Sequence, residues 1–162
     1  MSLLRVYVET TVISYLTAWR SPQLVMAAHQ EMTRQWWDDE RHHFELYVSE
    51  AVIEEAAAGD REAAQRRLDA IRGIAELQIT DEVCDLAKAL IEYGQVPKKA
   101  TLDALHIAIA TVNGMDFLLT WNCRHIANAT LQKSIRAICE DSGYSLPVLC
   151  TPHELTEVPR NE

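Results

Sequence analysis

A buried helix followed by a short strand constrains the fold of this chain more than any other feature. Residues 102–112 carry apolar side chains on almost every face of the predicted helix, with Asp103 and His106 as the polar exceptions. Such a helix belongs in the interior of a domain, and the apolar segment 117–121 then predicts a buried strand. A helix that leads into a strand of a parallel sheet runs antiparallel to it. Asp103 and Asn122 are therefore expected at the carboxyl edge of the sheet, where open α/β sheets bind ligands.

The rest of the chain alternates predicted strands with predicted helices, which indicates an α/β fold with a parallel sheet and helices on both faces. The strands are expected at residues 3–8, 44–48, 77–80, 117–121 and 147–150. A long helix is predicted from Ser21-Pro22 to about Glu40, and two consecutive helices between the second and third strands predict a small helical hairpin. We expect residues 1–150 to form a single domain and residues 151–162 to form a loose polar tail.

Composition narrows the possible functions of the chain. Its 162 residues are 48% hydrophobic, no stretch of 18 apolar residues occurs, and the amino terminus has no apolar core typical of a signal peptide, so we expect a cytoplasmic protein without a membrane span. A formal charge of −9 argues against nonspecific adhesion to nucleic acid but allows a local basic groove. The four cysteines form no CxxC pair, which argues against a zinc site or a disulfide framework.

Three carboxylates and one amide are expected to meet at the carboxyl edge. Glu9 ends the first strand, and Glu55 lies in the second turn of the helix that follows the second strand, so both join Asp103 and Asn122 there. Closely spaced carboxylates repel one another unless a cation lies between them, and Mg²⁺ or Mn²⁺ prefers oxygen ligands. The pattern predicts a metal site with Glu9, Glu55 and Asp103 as ligands. Each residue also has an ordinary structural interpretation, as a strand end, a solvated helix face or a complement to a helix dipole.

Two further polar residues near these elements are interpreted differently. His106 lies on the buried helix and is interpreted as a hydrogen-bonded core histidine rather than a metal ligand. Asp116 begins the fourth strand, at the opposite edge of the sheet, and is excluded as a ligand.

Four segments of the sequence resemble the ordered motifs of the PIN domain, the ribonuclease fold of VapC-type toxins. They read VYVETTVISYL, VSEAVIEEAAAGD, DALHIAIA and DFLLTWNCRHIAN. The family pattern has an Asp followed by small hydroxyl residues after the first strand, a Glu six residues beyond the Ser that ends the second strand, an Asp that opens a buried helix, and a Thr-x-Asp that ends the fourth strand. In this sequence the pattern falls on Glu9 with Thr10 and Thr11, on Glu55 after Ser49, on Asp103, and on Thr120 with Asn122.

The resemblance implies a PIN-like three-layer α/β/α fold with a parallel sheet of about five strands. It also implies Mg²⁺ or Mn²⁺ as cofactor, cleavage of single-stranded RNA, and an antitoxin protein as partner. The implied catalytic residues are Glu9, Glu55, Asp103 and Asn122, supported by Thr10, Thr11 and Thr120. Lys98, Lys99 and Arg124 are candidate contacts to the RNA phosphates, with solvated loop charges as the alternative.

Two departures from the family pattern leave other functions open. Glu9 replaces the usual Asp, and Asn122 replaces the usual fourth acid. The chain is therefore expected to be a metal-dependent endoribonuclease or, alternatively, a catalytically weakened binding module. A metal-dependent phosphatase on another α/β fold is a poorer alternative, because the first strand ends in Glu rather than in a nucleophilic Asp.

The helix that carries Met32, Trp36 and Trp37 has more aromatic side chains than one core stripe requires. Adjacent residues point about 100° apart on a helix, so one of the two indoles is expected to be exposed. It could form a homodimer face or an antitoxin contact, and neutral packing is the alternative.

Overall fold

The computed structural model describes residues 2–156. Its centre is a five-stranded sheet in the order β3-β2-β1-β4-β5, and every neighbouring pair of strands is parallel. The strands are β1 (Leu4–Val8), β2 (Phe44–Ser49), β3 (Ala75–Leu77), β4 (Phe117–Leu119) and β5 (Val148–Cys150). The predicted parallel α/β sheet is confirmed.

Helices cover both faces of this sheet. They are α1 (Thr10–Thr17), α2 (Leu24–Gln35), α3 (Glu50–Ala56), α4 (Arg61–Ala70), α5 (Asp81–Tyr93), α6 (Thr101–Val112) and α7 (Ala129–Asp141). Helices α1 to α4 pack on one another, whereas α5 packs on α6 and α7. The strand order explains this division, because right-handed crossovers that run in opposite directions along a sheet lie on opposite faces. The predicted three-layer α/β/α fold, with α3 and α4 as its helical hairpin, is confirmed.

Helix α6 is the most deeply buried helix of the fold. All of its residues from 106 to 111 are buried, and His106 is only 1% exposed. The helix ends at Asn113-Gly114, where Gly114 adopts a φ of +66°, a left-handed conformation that ends helices at little cost when the residue is glycine. The prediction that this helix lies in the interior is confirmed.

Several predicted element boundaries are wrong, and the strand expected at 117–121 ends at Leu119. Strand β3 was expected at 77–80 but ends at Leu77, because the Ile79 backbone N–H donates to Glu50 Oε2 and the Thr80 hydroxyl caps α5. The helix expected to reach Glu40 ends as an α-helix at Gln35 and continues as a π-helical turn, Trp36–Glu40.

The carboxyl-terminal segment corrects the expectation of a loose tail. Leu155 is buried, and its carbonyl oxygen accepts a hydrogen bond of 2.7 Å from Trp36 Nε1. Thr151, Pro152 and Leu155 are therefore buried against the domain, while residues 157–162 of the predicted tail lie outside the described residues. Within residues 2–156 no helix is both long enough and apolar enough to cross a membrane.

Candidate active site

The candidate site lies at the carboxyl edge of the sheet, between β1 and β4. Glu9 directly follows β1, and its backbone N–H donates to the Leu119 carbonyl at the end of β4. This bond fixes the two strand ends side by side. The Glu9 side chain is turned into the protein and is only 3% exposed.

Threonine hydroxyls and a backbone amide hold the Glu9 carboxylate. Its Oε1 accepts hydrogen bonds from Thr11 Oγ1 at 2.7 Å and from Thr120 Oγ1 at 2.6 Å, and its Oε2 accepts one from the Thr11 N–H at 2.7 Å. The last bond also caps the start of α1. None of the ion pairs formed within residues 2–156 involves Glu9. This buried carboxylate is thus held by neutral donors alone.

Glu55 ends a buried chain of hydrogen bonds that starts at β2. Its Oε1 accepts from Thr10 Oγ1 at 2.9 Å and from His106 Nε2 at 2.5 Å. A carboxylate only accepts, so Nε2 carries the proton. The other ring nitrogen, His106 Nδ1, lies 2.6 Å from Tyr7 Oη, which in turn lies 2.8 Å from Ser49 Oγ. The interpretation of His106 as a hydrogen-bonded core histidine is confirmed.

Opposing effects act on the pKa of Glu55. Burial favours the neutral acid and raises its pKa, whereas the hydrogen bond and the charge of His106, together with the Thr10 hydroxyl, lower it. The lowering effects prevail, so the pKa of Glu55 lies below its ordinary value. Glu55 is therefore held as a carboxylate.

Asp103 and Asn122 are linked through a histidine that the sequence reasoning missed. His125 Nδ1 lies 2.9 Å from Asp103 Oδ2, and the His125 backbone N–H donates to Asn122 Oδ1 at 3.0 Å. The Asn122 N–H donates in turn to Thr120 Oγ1. His125 follows Asn122 by three residues, which is the spacing of one helical turn. This spacing was the one feature of the sequence that could have indicated a contact between them.

These contacts join the four predicted residues into one circuit around the edge. Hydrogen bonds join Thr10 and His106 to Glu55, Asp103 to His125, His125 to Asn122, and Asn122 through Thr120 to Glu9. The covalent chain closes the two remaining links, from Glu9 to Thr10 and from His106 back to Asp103 along α6. Within residues 2–156, however, no group of three or more His, Cys, Asp or Glu side chains is close enough to hold a metal ion. The carboxylates share the edge but are each directed to their own protein partners.

Two carboxylate oxygens of the site accept no hydrogen bond from the described part of the protein and can bind a ligand. Among the described residues, no hydrogen bond is donated to Glu55 Oε2 or to Asp103 Oδ1. Oxygen atoms of this kind are the ligands that Mg²⁺ and Mn²⁺ prefer. The donor set fits a hard divalent cation, although the carboxylates would have to turn toward one another to share it.

The remaining predicted positions lie beside or away from the circuit. Lys98 and Lys99 are exposed in a short 3₁₀ helix that leads into α6, and Arg124 is exposed in the turn after Asn122. Asp116 lies at the opposite edge, where its Oδ2 accepts from the Arg5 N–H at the start of β1.

Comparisons with known proteins agree with this architecture. A family model described as the PIN domain matches residues 6–129. The crystal structure of Mycobacterium tuberculosis VapC20, described as a sarcin-ricin loop cleaving toxin, has a TM-score of 0.57 at 12% identity and covers 74% of this chain and 92% of its own. VapBC2 from Rickettsia felis, bound to a DNA fragment from the promoter, has a TM-score of 0.51 at 13% identity and covers 91% and 98%. No curated protein matches the sequence.

Proposed function

Because the chain belongs to the PIN domain family, we propose that it is a divalent-metal-dependent endoribonuclease that cleaves single-stranded RNA. The observation that supports this proposal is that hydrogen bonds tie Glu55 to the residue after Glu9, Asp103 to the turn of Asn122, and that turn through Thr120 to Glu9. Glu9 gives it further support, because burying a carboxylate without a counter-charge is costly and a bound cation would offset that cost.

In this proposal Glu9, Glu55 and Asp103 hold Mg²⁺ or Mn²⁺. A divalent cation bound there supplies a water of lowered pKa and neutralises charge on the phosphate. Thr11 and Thr120 fix the position of the Glu9 carboxylate through their hydroxyls.

The other members of the circuit position the remaining ligands. Thr10 and His106 hold one oxygen of Glu55, which leaves the other to face the cation. His125 holds Asp103 in the same way, and Asn122 holds the turn that carries His125. Lys98, Lys99 and Arg124 contact the RNA backbone on either side of the cleaved bond.

The direct test is cleavage of end-labelled single-stranded RNA with Mg²⁺ or Mn²⁺ and with EDTA as the metal-free control. Asp103→Asn should lower the rate by more than about 100-fold, the upper range for changes to residues that only support a metal ligand. Asp116→Asn makes the same chemical change at the opposite edge and should leave the rate unchanged. Equal rates for Asp103→Asn and the wild type would refute the proposal.

A specific observation favours one alternative, a PIN-fold binding module with weakened catalysis. Every carboxylate of the site is engaged by protein donors, and Glu9 accepts three hydrogen bonds. A cation must compete with these bonds. Calorimetric titration with Mn²⁺ separates the two functions, since heat of binding that disappears in Asp103→Asn supports the nuclease and no binding by the folded wild type supports the binding module.

We further propose that the nuclease is the toxin of a cytoplasmic toxin–antitoxin pair. Its support is the likeness of the fold to VapC20 and to the VapBC2 complex. Induced expression in bacteria should arrest growth, and Asp103→Asn should abolish the arrest. Normal growth with abundant soluble wild-type protein would contradict a toxin role.

The two indoles of the helix that was expected to carry a partner surface leave little exposed aromatic area for an antitoxin or a second copy. Trp36 is buried, and Trp37 is half-buried with the Arg41 guanidinium 4.2 Å above its ring. Among residues 2–156 the most exposed large apolar side chains are instead Leu24 at 85%, Trp19 at 79% and Val25 at 69%, at or just before the start of α2. A homodimer remains a prediction, which light scattering of the wild type and of Leu24→Glu would test.

A further inference from the structure

Three aromatic rings from separate parts of the chain meet beside the candidate active site. His29 and Trp121 have ring centroids 4.2 Å apart at 16°, Tyr15 and Trp121 5.8 Å at 11°, and Tyr15 and His29 6.5 Å at 16°. The residues come from α1, α2 and the turn after β4, and all three are half-buried. We name them the aromatic cluster.

The distances determine how the rings are arranged. In a column of three stacked rings, two layers of about 3.5 Å each would separate the outer centroids by at least about 7 Å. Tyr15 and His29 are closer than that, so the three rings do not form a single column with Trp121 in the middle. The aromatic cluster is thus a compact group of three nearly parallel rings, and part of each residue remains in contact with solvent.

Hydrogen bonds fix the cluster to the active site. The backbone N–H of Trp121 donates to Thr11 Oγ1 at 2.9 Å. The indole Nε1 of Trp121 donates to Thr33 Oγ1 on α2 at 2.8 Å. Thr11 is one of the two threonines that hold Glu9. Burial raises the pKa of Tyr15, and electrostatic interactions with Cys123 and Glu9 raise it further, which agrees with a phenol close to the carboxylate.

We propose that Tyr15, His29 and Trp121 form the surface on which a nucleobase of single-stranded RNA stacks, next to the phosphate at the Glu9 edge. This inference rests on the proposed nuclease function. Unpaired bases stack on aromatic side chains whatever their sequence, and each such contact strengthens binding roughly 5- to 150-fold.

The net charge of the chain favours RNA binding through base stacking over binding through electrostatic contacts alone. The protein carries a formal charge of −9, and Lys98, Lys99 and Arg124 are the only cations that we place beside the site. A polyanion gains little from so few cations. Stacking supplies affinity without positive charge, so RNA binding should depend only weakly on salt concentration.

The test measures binding of fluorescein-labelled decamers by anisotropy, with Ca²⁺ in place of Mg²⁺ to prevent cleavage. One decamer is oligouridine, and the other is an abasic ribose-phosphate chain of the same length. Tyr15→Leu and Trp121→Leu should each weaken oligouridine binding at least about 5-fold and leave the weaker abasic binding unchanged. Tyr15→Phe keeps the ring and should bind within twofold of the wild type.

Tyr93→Leu is the matched control, because Tyr93 is an exposed aromatic residue on α5, in the other helical layer. Circular dichroism checks that each variant is folded, and Tyr15→Leu keeps the test valid if Trp121→Leu is not. Equal loss of oligouridine and abasic binding, unchanged binding in the leucine variants, or no binding of oligouridine by the wild type would each overturn the proposal.

The outcome is separable from that of the nuclease proposal. RNA cleavage with unchanged oligouridine binding in Tyr15→Leu would refute the stacking surface and leave the nuclease intact. Stacking-dependent binding without metal-dependent cleavage would refute the nuclease and support the binding module.

Discussion

Replacement of His106 by leucine should destabilise the protein by an amount that its hydrogen bonds determine. His106 is 1% exposed and bonds to Tyr7 Oη and Glu55 Oε1. A neutral hydrogen bond contributes about 1 kcal/mol and one to a charged group about 1.5–3 kcal/mol. Tyr7 keeps its contact with Ser49 and Glu55 keeps Thr10, so neither group is left without a partner. We expect His106→Leu to lower the free energy of unfolding by about 3 kcal/mol.

A double-mutant cycle with Tyr7→Phe isolates the shared bond. Tyr7→Phe alone removes the hydroxyl that contacts both His106 and Ser49 and should cost about 1–2 kcal/mol. The double variant should lose about 1 kcal/mol less than the sum, because the Tyr7–His106 bond is counted twice in that sum. Urea denaturation followed by circular dichroism at pH 7 measures all four free energies.

The reasoning would be wrong if His106→Leu cost less than about 1 kcal/mol. It would also be wrong if the two substitutions were additive within about 0.3 kcal/mol, the usual agreement for independent sites. Either result would mean that the buried chain from Ser49 to Glu55 does not hold together in solution.

The remaining predictions concern pH, Glu9 and the thiols. The folded-state pKa of Glu55 is lowered, mainly through His106, so its stabilisation is present above the ordinary glutamate pKa of about 4.3. That stabilisation is lost as pH falls through the folded-state pKa of Glu55. The difference in unfolding free energy between the wild type and His106→Leu should therefore become smaller toward pH 3. A larger difference at pH 3 than at pH 7 would contradict this. Thr120→Val removes a donor to Glu9 and should cost about 2–3 kcal/mol in urea denaturation, with Thr120→Ser restoring most of it. Burial raises the pKa of the Cys150 thiol to about 12, so iodoacetamide should alkylate exposed Cys123 first at pH 8, and the reverse order in peptide mass spectrometry would be inconsistent with the fold.

The alternation of strands and helices predicted the fold well, because the repeat of apolar residues that marks a strand or a helix is visible within a short segment of sequence. The same reasoning placed Glu9 and Asp103 at one edge and Asp116 at the other, since strand direction alone decides the edge. Strand β3 was misplaced because Glu50, far away in sequence, accepts the Ile79 N–H. A local pattern carries no information about such a bond.

The pairing of side chains at the site was harder to predict from the sequence than the placement of helices and strands. The contact of His125 with Asp103 spans 22 residues, and the stacking of His29 on Trp121 spans 92. Neither sequence separation is one that would indicate a contact between the two residues. Trp36 was assigned a possible surface role because its partner, the Leu155 carbonyl, lies in a segment expected to be loose.

The two departures from the family pattern explain each other once the hydrogen bonds are known. Aspartate at position 9 would be shorter by one carbon–carbon bond of about 1.5 Å, so it could cap α1 through the Thr11 N–H but would lose the 2.6 Å bond from Thr120. Glutamate therefore extends the negative charge toward the end of β4. Asn122 lies there, with its N–H on the same Thr120 hydroxyl that binds Glu9. An acid at 122 would add a second negative charge at this end of β4, and neighbouring like charges repel each other. We infer that Glu9 and Asn122 compensate for each other, so that the edge keeps its negative charge near β4 on one residue instead of two.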